Sequence, residues 1–392
     1  MTLPPDVVDR VRTRLVSVGG VPTPADVARA LRSDGVLLAT DVLLAEAERL
    51  HSEMAGAGPL TRLLADPLVT DVLVTAPDEV WVDRGDGIER VDVRFPDDTA
   101  VRRLAQRLAA ACGRRLDDAS PYVDARLADG TRVHAVLSPV AVAGTCLSLR
   151  SLRRRAFTLD DLVAAGSLPP EVVPWLRAVM EARLAVLVTG GTGTGKTTWL
   201  STMLGLCDRR ERLVVVEDST ELTPDHPHVV RLEARPPNIE GNGEITLRDL
   251  VRQSLRMRPD RIVVGEVRGG EIVDLLAALN TGHEGGCATV HANAAVDVPA
   301  RLEALALAAG MDRAGVHAQM AAGLDVVVHL VRDREGRRRW ASLSVTERRD
   351  GFTELVDALS WSRVTGRVAP GPGLERLRAR LGDRAPVQGW AA

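Results

Sequence analysis

The stretch Gly190-Gly191-Thr192-Gly193-Thr194-Gly195-Lys196-Thr197-Thr198 decides how the rest of the chain is read. Gly190 to Thr197 fits G-x-x-x-x-G-K-[ST], a turn whose backbone amides cradle phosphates. Lys196 is the single lysine of the chain, although lysine and arginine together number 50. Arginine serves wherever else a positive charge stands. A compact ammonium fits between β- and γ-phosphate oxygens, whereas a planar guanidinium is larger and forked. The apolar run Ala185 to Thr189 enters the turn as a strand, and Thr197 to Cys207 leaves it as a helix. Loop amides and the helix N-terminus then point at phosphate, with Lys196 on the β- and γ-groups and the Thr197 hydroxyl on Mg2+. The nucleotide contacts expected are Gly191, Thr192, Gly193, Thr194, Gly195, Lys196, Thr197 and Thr198. No Asn-Lys-x-Asp is present, so ATP is the expected nucleotide.

Downstream of that turn, short apolar strands alternate with helices: Leu213 to Glu217, Arg261 to Gly265, Cys287 to His291 and Val326 to Leu330. Runs such as Val214-Val215-Val216 suit strands buried on both faces, and the alternation implies a parallel sheet. Two strands end in acid, at Val216-Glu217-Asp218-Ser219-Thr220-Glu221 and at Val264-Gly265-Glu266-Val267-Arg268. Ligands of open α/β sheets gather at the carboxyl ends of strands, so both clusters should face the phosphates. The second lacks the usual aspartate, and Gly265-Glu266 takes its place. His283 and His291 flank a further strand. Each could bond a phosphate or a catalytic carboxylate, or serve as an ordinary core histidine. A metal held by these two histidines finds no cysteine or carboxylate pattern in support.

The bulk numbers narrow the classes. Net charge is −3 and aromatic residues make up 3%, which argues against direct nucleic-acid binding. Cys112, Cys146, Cys207 and Cys287 lie far apart without a C-x-x-C pair, as expected of reduced thiols in a cytosol. The first twenty residues lack a signal-peptide block, and no uncharged stretch suits a membrane span. The domains expected are an N-terminal helical segment (1–56), a smaller α/β domain (57–152), a linker (153–168), the nucleotide-binding domain (169–349) and a C-terminal tail (350–392). Helices are expected at Asp6 to Val16, Pro24 to Arg32 and Ala39 to Met54. Past Arg349 the pattern weakens into a short basic helix and a loose end.

The four motifs in this order resemble those of the type II/IV secretion ATPase superfamily, over about Gly58 to Thr346. Gly190 to Thr198 resembles its Walker A box and Val214 to Leu222 its acidic "Asp box". Arg256 to Arg268 resembles its Walker B region, and Asn280 to Asn293 its "His box". Within the superfamily the chain is most similar to the CpaF/TadA branch, the tight-adherence (Flp) pilus assembly ATPases. Leu255 to Ile262, the His291-Ala292-Asn293 ending and Asp129 to Val133 carry that likeness. The resemblance implies a PAS-like N-terminal domain before a RecA-like P-loop motor, assembled as a homo-hexamer. It implies Glu221 as the water-activating base, with Glu266 and Glu217 near Mg2+ or water. Arg268 would sense the γ-phosphate, His283 and His291 would couple chemistry to movement, and Arg132 and Arg150 would reach the phosphates. It further implies an inner-membrane pilus or secretion platform as partner, with the motor peripheral on the cytoplasmic face. A conjugation-type transfer motor and a nucleotide-gated scaffold with little turnover are the competing readings.

Overall fold

In a computed structural model the described residues are 56–387, apart from 67, 86, 128, 152–155, 236, 238–241, 283, 334 and 363–364, together with 23–36 and scattered positions between 7 and 47. Most of the expected helices Asp6 to Val16 and Ala39 to Met54, and the Arg153–Arg155 run, lie outside that set. The chain divides into two compact units, Met1–Arg154 and Arg155–Ala392.

The first unit opens with helix α1 (Pro24–Ser33), begun by a capping box in which Thr23 and Asp26 satisfy each other's backbone amides. Its apolar face buries Val27 and Leu31 with Val11, Leu15, Leu43 and Ala47. After the short helix α2 (Thr61–Ala65) come β1 (Asp71–Ala76), β2 (Glu79–Asp83), β3 (Ile88–Val91), helix α3 (Asp98–Ala111), β4 (Tyr122–Arg126), β5 (Arg132–Val136) and β6 (Cys146–Arg150). The strands form one antiparallel sheet in the order β3-β2-β1-β6-β5-β4. Period-two alternation buries Val72 and Val74, Val80 and Val82, Val133 and Ala135, and Leu147 and Leu149. That face packs with Val101, Leu104 and Leu108 of α3, and the other carries polar residues.

The second unit runs α4 (Leu159–Ala164), α5 (Val173–Glu181), β7 (Val186–Gly190), α6 (Lys196–Leu204), β8 (Leu213–Glu217), β9 (Val229–Glu233) and α7 (Leu247–Ser254). It continues with β10 (Arg261–Val267), α8 (Glu271–Leu279), β11 (Cys287–His291), α9 (Val298–Ala308), α10 (Arg313–Gly323), β12 (Val326–Arg332), β13 (Arg338–Arg349), β14 (Phe352–Trp361), β15 (Val368–Pro370) and α11 (Leu374–Leu381). The sheet order is β15-β14-β13-β12-β7-β11-β10-β8-β9. Strands β12 to β9 in that order pair in parallel, and β13 to β15 extend the sheet antiparallel. Strands β7 and β8 are buried throughout, as double-sided parallel strands must be. Helices α5 and α6 lie in one apolar layer and α7 to α10 in another.

The expected C-terminal tail is corrected here. Residues after Arg349 supply β14, β15 and α11, and Ala358, Leu359, Leu374, Leu377 and Leu381 are buried in the same core as the phosphate-loop helix. Strands β3, β9 and β13 were also unforeseen. Among the described residues no helix is long and apolar enough to cross a membrane. Cys207 and Cys287 are buried in the second unit, while Cys112 and Cys146 are half-buried in the first.

Candidate active site

Strand order brings the chemistry together. Strands β7, β11, β10 and β8 are successive neighbours, and their carboxyl ends carry Gly190, His291, Glu266 and Glu217. His291 stands opposite Gly190 in the β11–β7 register. Helix α6 begins at Lys196 directly after Gly195, whose φ of 91° lies in the left-handed region that favours glycine. Thr194 Oγ1 closes the turn by donating to the Gly191 carbonyl at 2.9 Å.

Lys196 is buried, and its Nζ donates to the carbonyls of Gly190 at 3.1 Å and Gly191 at 3.0 Å. The same ammonium lies 3.3 and 3.4 Å from the two ring nitrogens of His291. His291 Nε2 is 2.7 Å from Glu266 Oε1, and Arg268 Nη2 donates to Glu266 Oε2 at 2.6 Å. Arg268 Nη1 also approaches Asp218 Oδ2 at 3.7 Å. A continuous polar chain therefore runs from the phosphate loop across β11 and β10 to the loop after β8.

The charges along this chain shift one another's proton affinities. Burial lowers the Lys196 pKa, opposed by the Glu266 charge. Burial, then the Lys196 ammonium, lowers that of His291, opposed by the Glu266 charge. The 2.7 Å approach of His291 Nε2 to Glu266 Oε1 is a close charge contact, and that buried oxygen has no hydrogen-bond partner among the described residues. Burial works to raise the Glu266 pKa, but the Arg268 hydrogen bond and the charges of Arg268, His291 and Lys196 outweigh it and hold it below the ordinary value.

Glu217 is buried at 4% exposure, and its Oε1 accepts from the amides of Glu221 and Leu222, both at 3.0 Å. It thereby sets the backbone that presents Glu221. Burial pushes its pKa up to about 7 against those two hydrogen bonds. Oε2 is buried and has no partner among the described residues. This packing also accounts for Gly265: a Cβ there would lie 2.5 Å from Glu217 Cγ. The strand lacks its usual acid because the neighbouring strand's glutamate fills that space. The acidic loop is tied to α6 as well, since the Thr223 amide donates to Ser201 Oγ at 3.2 Å.

Thr197 and Thr198 open α6 half-buried, and Thr192 and Gly193 are exposed at the tip of the turn. His283 lies outside the described residues. Arg132 and Arg150 are direct cross-strand partners on β5 and β6. One histidine had no motif to announce it: His329 of β12 is buried, with Nδ1 2.7 Å from Thr189 Oγ1. The sequence signal was a lone histidine in an apolar strand, which reads as core without the sheet order.

Among the described residues no three His, Cys, Asp or Glu side chains gather as a metal site. The residues still fit a hard cation bound with a nucleotide, which takes most of its ligands from phosphate and water. The Thr197 hydroxyl, Glu266 and the unpartnered Glu217 oxygen offer the oxygen donors such an ion takes.

The profile of type II/IV secretion system proteins matches residues 53–365. The chain belongs to that family. It is an ATPase of the type II/IV secretion family. A putative conjugal transfer protein of Mycobacterium tuberculosis is 56% identical over 326 residues, covering 82% of this chain and 93% of that protein. The type IV secretion system protein PtlH of Bordetella pertussis is 34% identical over 251 residues, covering 58% and 74% respectively. The pilus retraction motor PilT with bound ADP superposes with a TM-score of 0.53 at 22% identity, covering 72% of this chain and 81% of that one. The Legionella pneumophila ATPase DotB gives 0.52 at 20% identity, covering 72% and 79%. At such identity these two structures show the fold alone, a RecA-like P-loop domain.

Proposed function

We propose that this chain is a Mg2+-dependent, ATP-hydrolysing ring motor that drives pilus assembly or secretion, of the tight-adherence type, from the cytoplasmic face of the inner membrane. The observation that carries the reading is the chain Lys196–His291–Glu266–Arg268 across adjoining strand ends. Lys196 holds the β- and γ-phosphates, and the loop amides bind their oxygens. Glu221, presented by the backbone that Glu217 fixes, orients and deprotonates the attacking water. Mg2+, when bound, would neutralise phosphate charge beside Thr197 and Glu266. Arg268 stabilises charge on the transferring group, and losing the γ-phosphate alters its balance between Glu266 and Asp218. His291 carries that change to β11. Arg132, 3.9 Å from Asp124, and Arg150 are assigned in this reading to phosphate contact. A homo-hexamer and an inner-membrane platform protein complete this reading.

Conjugal transfer is the second reading, favoured by the name of the 56% identical relative. One experiment addresses both. Lys196→Ala should lower ATP turnover of the purified protein by at least about 100-fold. In the source cells it should abolish surface pili while leaving conjugal DNA transfer intact. Loss of transfer with normal pili would select the second reading. Unchanged phosphate release would reject the motor altogether.

A further inference from the structure

The glycine loop is covered on one side by the β12–β13 hairpin, which no sequence motif marks. Three of the loop's glycines abut it. A Cβ on Gly190 would lie 2.5 Å from the Leu330 carbonyl oxygen. One on Gly193 would lie 4.0 Å from Arg332 Nη1, and one on Gly195 3.5 Å from Arg338 Cδ. Arg338 Nε donates to the Gly193 carbonyl at 3.0 Å.

The hairpin that carries these two arginines is braced at its turn. Asp333 Oδ1 accepts from the amides of Glu335 at 3.0 Å and Arg337 at 2.8 Å, and its Oδ2 accepts from Arg339 Nε at 2.9 Å. Arg337 is paired with Glu335, and the Arg339 guanidinium also lies 5.2 Å over the Trp361 ring. Arg332 is different. It is exposed, and no carboxylate lies within ion-pair distance of it among the described residues. An uncompensated guanidinium beside a phosphate-cradling turn is poised for an anion, and its planar fork suits phosphate oxygens.

We infer that this hairpin is part of the nucleotide site: Arg338 positions the glycine loop through the Gly193 carbonyl, and Arg332 binds the polyphosphate. The assignment rests on the ATPase reading, which Lys196→Ala tests separately. Loop and hairpin also share a strand pairing, β7 with β12 at Gly190 and Leu330. Binding at the loop is thereby tied to the antiparallel part of the sheet.

The test compares full-length wild type, Arg332→Gln, Arg332→Lys, Arg338→Gln and Arg338→Lys, with Lys196→Ala as the control for the nucleotide site. Binding of Mg-ATP, Mg-ADP and inorganic tripolyphosphate is measured calorimetrically, with steady-state kinetics beside it. Arg332→Gln should weaken all three ligands about tenfold, and Arg332→Lys should restore most of the loss. Arg338→Gln should raise KM about tenfold with kcat within about twofold, and Arg338→Lys should recover it. Melting temperatures should stay within about 2 °C of wild type, because the residues replaced are not core. Loss of ATP affinity without loss of tripolyphosphate affinity would move Arg332 to the base or ribose and overturn its phosphate role. Wild-type binding and KM in both Gln variants, with Lys196→Ala still impaired, would sink the inference and leave the ATPase reading standing.

Discussion

At Glu217, one carboxylate oxygen receives two backbone amides, and the other, equally buried, receives none among the described residues. Its pKa of about 7 against an ordinary 4.5 means the folded chain keeps a proton there that the unfolded chain gives up. Between those values the native state binds more protons than the unfolded one, so stability falls as pH rises. Glu217→Gln keeps an amide-accepting oxygen and cannot ionise. In buffer without nucleotide or Mg2+, wild type should lose on the order of 2 kcal/mol more than the variant between about pH 5.5 and about pH 8. Urea unfolding at both pH values measures it. Parallel pH profiles for the two proteins would show that Glu217 is already ionised at the lower pH. The sequence placed this residue in an acidic cluster at a strand end. It could not show which oxygen is used, because that depends on the bare Gly265 one strand away.

Among elements, the phosphate loop, the acidic loop and β11 were legible because each couples an apolar run to a polar end. Their local pattern contains the reason for their fold. The short basic helix α11 was legible as a helix but not as core, and the β13–β15 strands were not legible, since their partners lie along an edge that no local pattern reveals. Strand β13 is long and arginine-flanked, β14 alternates weakly, and Pro370-Gly371-Pro372-Gly373 resembles a chain end. The structure instead uses those glycines for close approach: a Cβ on Gly373 would lie 2.6 Å from the Val356 carbonyl. Ala358, Leu359, Leu374, Leu377 and Leu381 bury fully or nearly so. At roughly 1.5–3 kcal/mol for each large side chain, the four leucines alone match the net stability of a typical domain. A chain ending at Arg349 should therefore fail to fold its second unit. It should be recovered as aggregate, or lose the cooperative thermal transition seen by circular dichroism. A soluble truncation with the wild-type transition would show that the added strands are dispensable. His329 was illegible for the same reason as β13, since its partner Thr189 lies 140 positions earlier.

Across the whole molecule, the four thiols are divided between the units. Cys207 and Cys287 sit beside the buried Arg261–Glu211 pair, and burial pushes their pKa values up to about 12 and about 11. Neither forms an appreciable thiolate near neutral pH. Cys112 and Cys146, both in the first unit, keep partial exposure. A maleimide dye at neutral pH should thus modify the first unit alone, and peptide mapping after brief labelling should show no adduct on peptides from the second. Adducts on Cys207 or Cys287 under native conditions would mean the second unit opens. The sulfur distribution makes the native chain a ready-made substrate for single-sided spectroscopic probes. An observer can tag the unit that lacks Lys196 and follow its response to added ATP with no engineered cysteine.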